Sequence, residues 1–236
     1  TGPDMDKVEH WVGSDPTVKG IWCVPKYSNP QGITYSDETV RRFAALRPAA
    51  ADFRIFWDDA YAVHHLNGEG DHLLNIMDEC KARGSQDMLY IFASTSKISF
   101  AGAGVAMMAA SVDNIRYITR CMAMQTISYD KLNQLRHVRF YKNLDGIRAH
   151  MLKHRAIIKP KFELMFEKFR ELHAEGIADF TEPNGGYFIA LMTLNGCARR
   201  VVQLCREAGV TLTGAGACFP YGHDPYDSCL RISPTY

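Results

Sequence analysis

Met88-Leu-Tyr-Ile-Phe-Ala-Ser-Thr-Ser-Lys97 is an apolar run that breaks off into three hydroxyls and a lysine. A run this short, bounded by polar residues, reads as a buried strand over 88–93. Two upstream stretches repeat the pattern. Gly20-Ile-Trp-Cys-Val-Pro25 enters Lys-Tyr-Ser-Asn29, and Phe53-Arg-Ile-Phe-Trp57 enters Asp58-Asp-Ala-Tyr61. Helical patterns over 37–46 and 71–83 lie between them, each opening on an acidic residue where a helix N-terminus favours negative charge. Strand, helix, strand, helix, strand predicts a parallel sheet with crossover helices. Such sheets bind ligands beyond the carboxyl ends of their strands, which is where the three polar clusters are expected.

Working outward, the apolar run 105–110 follows Lys97 too closely for a helical crossover and predicts an antiparallel strand of the same sheet. Helical patterns follow over 113–125, 129–142 and 144–175, and Pro160 is expected to kink or split the last. From Gly176 short strand-like pieces (178–181, 186–191, 210–213, 229–233) surround one helix, 197–208, ended by Gly209. The expected organisation is a large α/β domain over 1–143, then an interdomain helix and a smaller α+β domain over 144–236.

The 236 residues are 47% hydrophobic and 22% charged, with a formal net charge of +1. That balance argues against disorder and supplies no global field for nucleic acid or anionic membrane, so neither partner is expected. The apolar charge-free stretch 98–112 has 15 residues, short of the roughly 20 a spanning helix needs. Seven cysteines, none in a C-x-x-C pair, read as reduced core thiols of a cytoplasmic protein.

Taken singly, the polar clusters are ambiguous. Lys97 is either a solvated loop lysine or an amine with a lowered pKa that attacks a carbonyl. Asp58 is either a helix cap or a carboxylate that holds a proton on a heteroaromatic nitrogen, and Tyr61 a packed ring or a phenolic donor. Asp58-Asp59 has no third carboxylate or histidine at supporting spacing, so no metal is expected. Asn29-Pro-Gln-Gly32 is a turn as local structure. Arg231, inside the apolar Cys229-Leu-Arg-Ile-Ser233, requires an anion, from a substrate or from a structural carboxylate.

Their order is more specific. Asp58 follows Asn29 by 29 residues, Lys97 follows Asp58 by 39 and Arg231 follows Lys97 by 134. With Gly20–Thr34, Ser94–Gly104, Pro183–Ile189 and Arg231–Thr235, this order resembles the pyridoxal-phosphate-dependent aminotransferases of the class I/II superfamily, fold type I. Within them it is similar to the aspartate-aminotransferase-like subgroup. The resemblance implies part of a three-layer αβα cofactor domain with a smaller C-terminal α+β domain, and a pyridoxal 5'-phosphate cofactor. By it, Lys97 holds the cofactor as an internal aldimine and then moves the proton between substrate Cα and cofactor. Asp58 keeps the pyridine nitrogen protonated, Tyr61 and Asn29 hydrogen-bond the ring oxygen, Ser94 and Ser96 lie on the phosphate side, and Arg231, with Asn29, takes the substrate α-carboxylate. The implied partners are small amino-acid and 2-oxo-acid substrates, aspartate or glutamate the expected donor, and a second copy in a homodimer. A carbon–sulfur lyase, an aromatic aminotransferase and a non-catalytic paralogue share these motifs as alternatives.

Two departures stand out. Family members usually carry a phosphate-binding Arg about eight residues after the lysine, where this chain reads Gly102-Ala-Gly-Val105. The family is also longer, and the chain, which opens on Thr1-Gly-Pro3 without an initiator Met, is expected to be the C-terminal portion of such an enzyme.

Overall fold

The structure is a computed structural model describing residues 1–99 and 102–235. The chain divides into two compact units, one of residues 1–26, 34–62 and 72–150, the other of 27–33, 63–71 and 151–236. This division follows the fold rather than a single cut after residue 143. Two short loops from the first half of the chain pack with the second unit, and the long helix begins in one unit and ends in the other.

In the first unit β1 (Gly20–Cys23), β2 (Arg54–Asp58) and β3 (Leu89–Ser94) pair in parallel, as the alternating pattern predicts. β4 (Ala106–Ala110) closes antiparallel on β3, giving the order β1-β2-β3-β4. One face of the sheet is dry. Cys23, Ile55, Trp57 and Leu89 form a core with Met5 and Val12 of α1 (Met5–Ser14), Val40 and Phe43 of α2 (Asp37–Ala44), and Ile76 and Cys80 of α3 (Ile76–Arg83). The other face carries Trp22, Phe56 and Phe92, with stacked rings 5.5 to 6.1 Å apart.

Caps fix the helix starts. Ser36 Oγ accepts from Thr39 N at α2, and Asn75 Oδ1 accepts from Met77 N at α3. The expected helix over 71–83 therefore starts only at Ile76. Its first expected residue, Asp71, is used in tertiary contacts instead, donating its N–H to Tyr27 Oη and accepting from Asn184 Nδ2. α4 (Val112–Gln125) and α5 (Lys131–Tyr141) follow the expected patterns closely.

α6 (Leu144–Ala174) is continuous for 31 residues with Pro160 inside it, so the helix is not split there. A proline inside a helix costs about 3 kcal/mol. Burying Phe162 and Phe169 offsets that, at ~1.5–3 kcal/mol for each large apolar side chain. Both pack on the second unit's antiparallel sheet of β5 (Ala178–Phe180), β6 (Ile189–Thr193) and β7 (Cys229–Ile232), together with α7 (Ala198–Glu207). The strand expected over 210–213 is absent. Gly209 at φ 87° ends α7, and Val210 N donates back to Cys205 O at 2.8 Å, which turns the chain at the helix end.

The thiols differ from expectation too, since only Cys23 and Cys80 are buried and Cys121 is exposed; all seven are free. Among the described residues no helix is long and apolar enough to cross a membrane. Phe162→Ala should lower the unfolding free energy by about 3–5 kcal/mol, the usual cost of an emptied aromatic core position. Urea titration checks this, and a loss below about 1 kcal/mol would refute the central place given to this ring.

Candidate active site

In the first unit the parallel strands deliver their polar ends to one side. β2 ends on Asp58, whose Oδ2 accepts from Trp22 Nε1 at 3.3 Å. Asp59 N donates to Phe92 O at 2.8 Å, which holds the β2 exit against β3. The two aspartates are not equivalent. Burial pushes the Asp59 carboxyl up and leaves its Oδ1 without a partner, so it belongs to the packed side of the sheet. Tyr61 is buried two residues later, and Lys97 Nζ stands 5.1 Å from its ring centroid. β3 ends on Ser94, whose Oγ accepts from Ser96 N at 3.4 Å. Asp58, Tyr61, Ser94, Ser96 and Lys97 thus gather at the carboxyl end of one sheet.

The Gly-rich stretch after Lys97 has a steric reason. A Cβ on Gly104 would stand 2.3 Å from Ser96 Oγ and 3.0 Å from its Cα, so a side chain there would displace Ser96. Phe100 and Ala101, within the same motif, lie outside the described residues.

Asn29 and Arg231 meet in the second unit, where Arg231 NH1 donates to Asn29 Oδ1 at 3.3 Å. Leu230 and Ile232 point into the core, so strand alternation turns Arg231 to the opposite face. There its guanidinium lies over the Phe188 ring, 4.8 Å from the centroid, and Nε is buried without a partner. Sequence reasoning missed Phe188, because an aromatic in an apolar run carries no mark of what it stacks on.

It also missed two supports. Asp224 accepts three backbone N–H groups, from Tyr226 at 3.0 Å and from Ser228 and Cys229 at 2.8 Å, and so fixes the turn that starts β7. Hydrogen bonds led by Cys229 N–H hold its carboxyl below the usual range. Tyr27 is fully buried at φ 55° in the left-handed region, two residues before Asn29. Its Oη accepts from Asp71 N at 3.0 Å and lies within hydrogen-bond distance of His65 Nδ1, at 2.8 Å. Burial pushes this phenol up to about 12. Gly185 lies against the ring, where a Cβ would come within 2.3 Å.

All of residues 1–236 match the family described as aspartate amino-transferase. An aspartate aminotransferase of Corynebacterium glutamicum is 43% identical over 99% of this chain and 54% of its own length. A Mycolicibacterium smegmatis protein named as a candidate aminotransferase is 48% identical over 100% of this chain and 55% of its own. The chain spans about half the length of the curated relatives it matches. Among solved structures, an aspartate transaminase from Corynebacterium glutamicum superposes with a TM-score of 0.95 at 43% identity, over 99% of this chain and 55% of that one. A candidate aminotransferase from Corynebacterium diphtheriae gives 0.96 at 44% identity, over 99% and 58%. The mixed α/β fold expected from the sequence is the fold of these aminotransferases.

The Asp224 turn predicts a pH dependence. A carboxyl whose folded pKa lies below its ordinary 3.8 stabilises the fold fully above that value, and the contribution is lost as pH falls through the folded pKa. Asp224→Asn should therefore melt below wild type at neutral pH, with the gap closing on acidification below 3.8. A gap constant with pH in thermal melts would contradict this role.

Proposed function

The chain belongs to the aspartate amino-transferase family, and on that footing we propose that it carries the Lys97 half of a pyridoxal-phosphate site for amino transfer. The observation that supports this most directly is Lys97 Nζ poised over the Tyr61 ring, at the sheet end where Asp58 and Ser94 also stand. An amine, a carboxylate, a phenol and two hydroxyls are a donor set that suits an aldehyde, a pyridine nitrogen, a ring oxygen and a phosphate. The orphaned Nε of Arg231 suits a carboxylate.

When bound, pyridoxal phosphate supplies an electron sink for the pair released as an amino acid loses its Cα proton. The protein's own groups divide the rest. Lys97 Nζ anchors the cofactor, and as a free amine takes that proton and returns it to the neighbouring carbon. The Asp58 carboxylate, steadied by Trp22 Nε1, keeps a proton on the ring nitrogen. Tyr61 donates to the ring oxygen. Ser94 and Ser96 donate to the phosphate in place of an arginine, and Arg231 receives the α-carboxylate with Phe188 and Asn29 holding its plane. The substrates are an amino acid, aspartate or glutamate, and a 2-oxo acid. Seven free thiols fit a cytoplasmic setting, and a homodimer is the assembly the resemblance implies.

Added pyridoxal phosphate should give a visible absorbance band that borohydride fixes on Lys97, and Lys97→Ala should give neither. Arg231→Ala should cut kcat/KM for the donor at least about tenfold, since each hydrogen bond to a charged group contributes ~1.5–3 kcal/mol. Product analysis with aspartate, aromatic amino acids and cysteine conjugates separates transamination of acidic donors from aromatic transamination and carbon–sulfur cleavage. A wild-type protein with no band at any cofactor concentration would overturn the proposal.

A further inference from the structure

Lys97 sits in the connection between β3 and β4, and what holds that connection lies outside the family's motifs. Thr95 closes its neck, its N–H donating to Val105 O at 2.9 Å and its Oγ1 accepting from Val105 N at 2.8 Å. Just after the first end the chain makes a small turn, in which Ile98 N, Ser99 N and Ser99 Oγ all donate to Thr95 O. A loop of this length with glycines at 102 and 104 has wide conformational freedom unless something outside it pins it.

The pins come from α5 and from the first turns of α6, whose residues up to His150 belong to the same unit. His137 of α5 reaches Thr95 Oγ1 at 2.9 Å and Ser99 Oγ at 3.2 Å through Nε2, while its Nδ1 lies 2.9 Å from Asn133 O. A carbonyl only accepts, so Nδ1 carries a hydrogen, and in the neutral form of the ring Nε2 is an acceptor. Ser99 Oγ already donates to Thr95 O, so the proton on Nε2's bond comes from Thr95 Oγ1. That bond and the one from Val105 N fix the Thr95 hydroxyl on both sides. One turn earlier, Asn133 Nδ2 donates to Ala103 O at 2.8 Å, on the far limb of the loop. From α6, His150 Nε2 donates to Ile98 O at 3.0 Å, next to Lys97.

We infer that His137 is a positioning residue for Lys97, acting through Thr95 as the central member of an Asn133–His137–His150 clamp on the loop that carries the amine. The functional importance of the clamp rests on the role proposed for Lys97; the clamp itself does not. Asn133 and His137 stand four apart on α5, so both reach the loop from one face of the helix. Asp130 caps that helix by accepting from Asn133 N at 2.9 Å, which sets the helix start from which the stripe is counted.

The test compares His137→Ala, His137→Gln and wild type by amide hydrogen exchange over 98–105 and by borohydride capture of pyridoxal phosphate on Lys97. In His137→Ala the loop amides should exchange about tenfold faster, the size expected for one lost buried hydrogen bond, with amides of β1 and β2 unchanged. Capture should slow, and kcat should fall more than KM rises. Glutamine places an amide oxygen near the position of Nε2 and should restore most of the protection and the capture rate. Unchanged loop exchange in His137→Ala, or equal loss in alanine and glutamine variants, would overturn the inference. If His137→Ala does not fold, Asn133→Ala at the second pin should loosen the same peptide, and unchanged exchange there would overturn it equally. Failure of wild-type Lys97 to be captured would remove the proposed function, while loop exchange would still decide the clamp.

Discussion

The first unit depends on the point where its sheet changes direction. Parallel pairing of β1, β2 and β3 sends three strand ends to one side, and helices return the chain each time. At β3 no helix intervenes among the described residues. The next strand, β4, pairs antiparallel with β3, in register from Ser94↔Ala106 to Tyr90↔Ala110. A crossover helix would have carried Lys97 away from the strand ends. The tight return keeps it beside Tyr61, with the backbone pairing of Thr95 and Val105 as the last rung.

The second unit solves a different problem, that of holding a guanidinium on a strand whose neighbours belong in the core. Leu230 and Ile232 commit β7 to one register, because a shift by one residue would bury Arg231 and expose both. The three N–H groups gathered on Asp224 set where that register begins. Tyr27 fixes the partner loop from the other direction. Its left-handed backbone is unfavourable for a large side chain, by ~1–3 kcal/mol, and persists because the ring is enclosed and its hydroxyl is bonded on both sides.

Legibility followed polarity contrast. The β1, β2 and β3 runs, the antiparallel β4 and most helices could be read because apolar runs end sharply in charge or hydroxyls. The placement of Asp58, Tyr61, Ser94 and Lys97 at one end of the sheet could be read because they sit at those breaks. α1 went unread because only Met5 and Val12 of it are buried, too few for a periodic signal. The false strand at 210–213 came from β-branched residues, whose N–H at Val210 the preceding helix had already claimed. His137 and Asn133 were invisible for the opposite reason. A polar stripe on a helix reads as a solvent face, and only tertiary structure reveals that the loop it faces supplies the acceptors and donors water otherwise would.

In the role proposed for it, Arg231 would be held ready for an anion by its folded surroundings. A guanidinium has five N–H donors, and this one spends NH1 on the neutral Asn29 Oδ1 and its face on Phe188. Neither partner neutralises it, and the buried Nε goes unmet. An unmet buried donor costs ~1–3 kcal/mol in the folded state. A structural aspartate in place of Asn29 would neutralise the guanidinium, and so weaken the proposed drive to bind a carboxylate. Asparagine orients the fork without quenching its charge, so in the proposed role the donor left unsatisfied by folding would be returned as affinity to a planar anion with two oxygens.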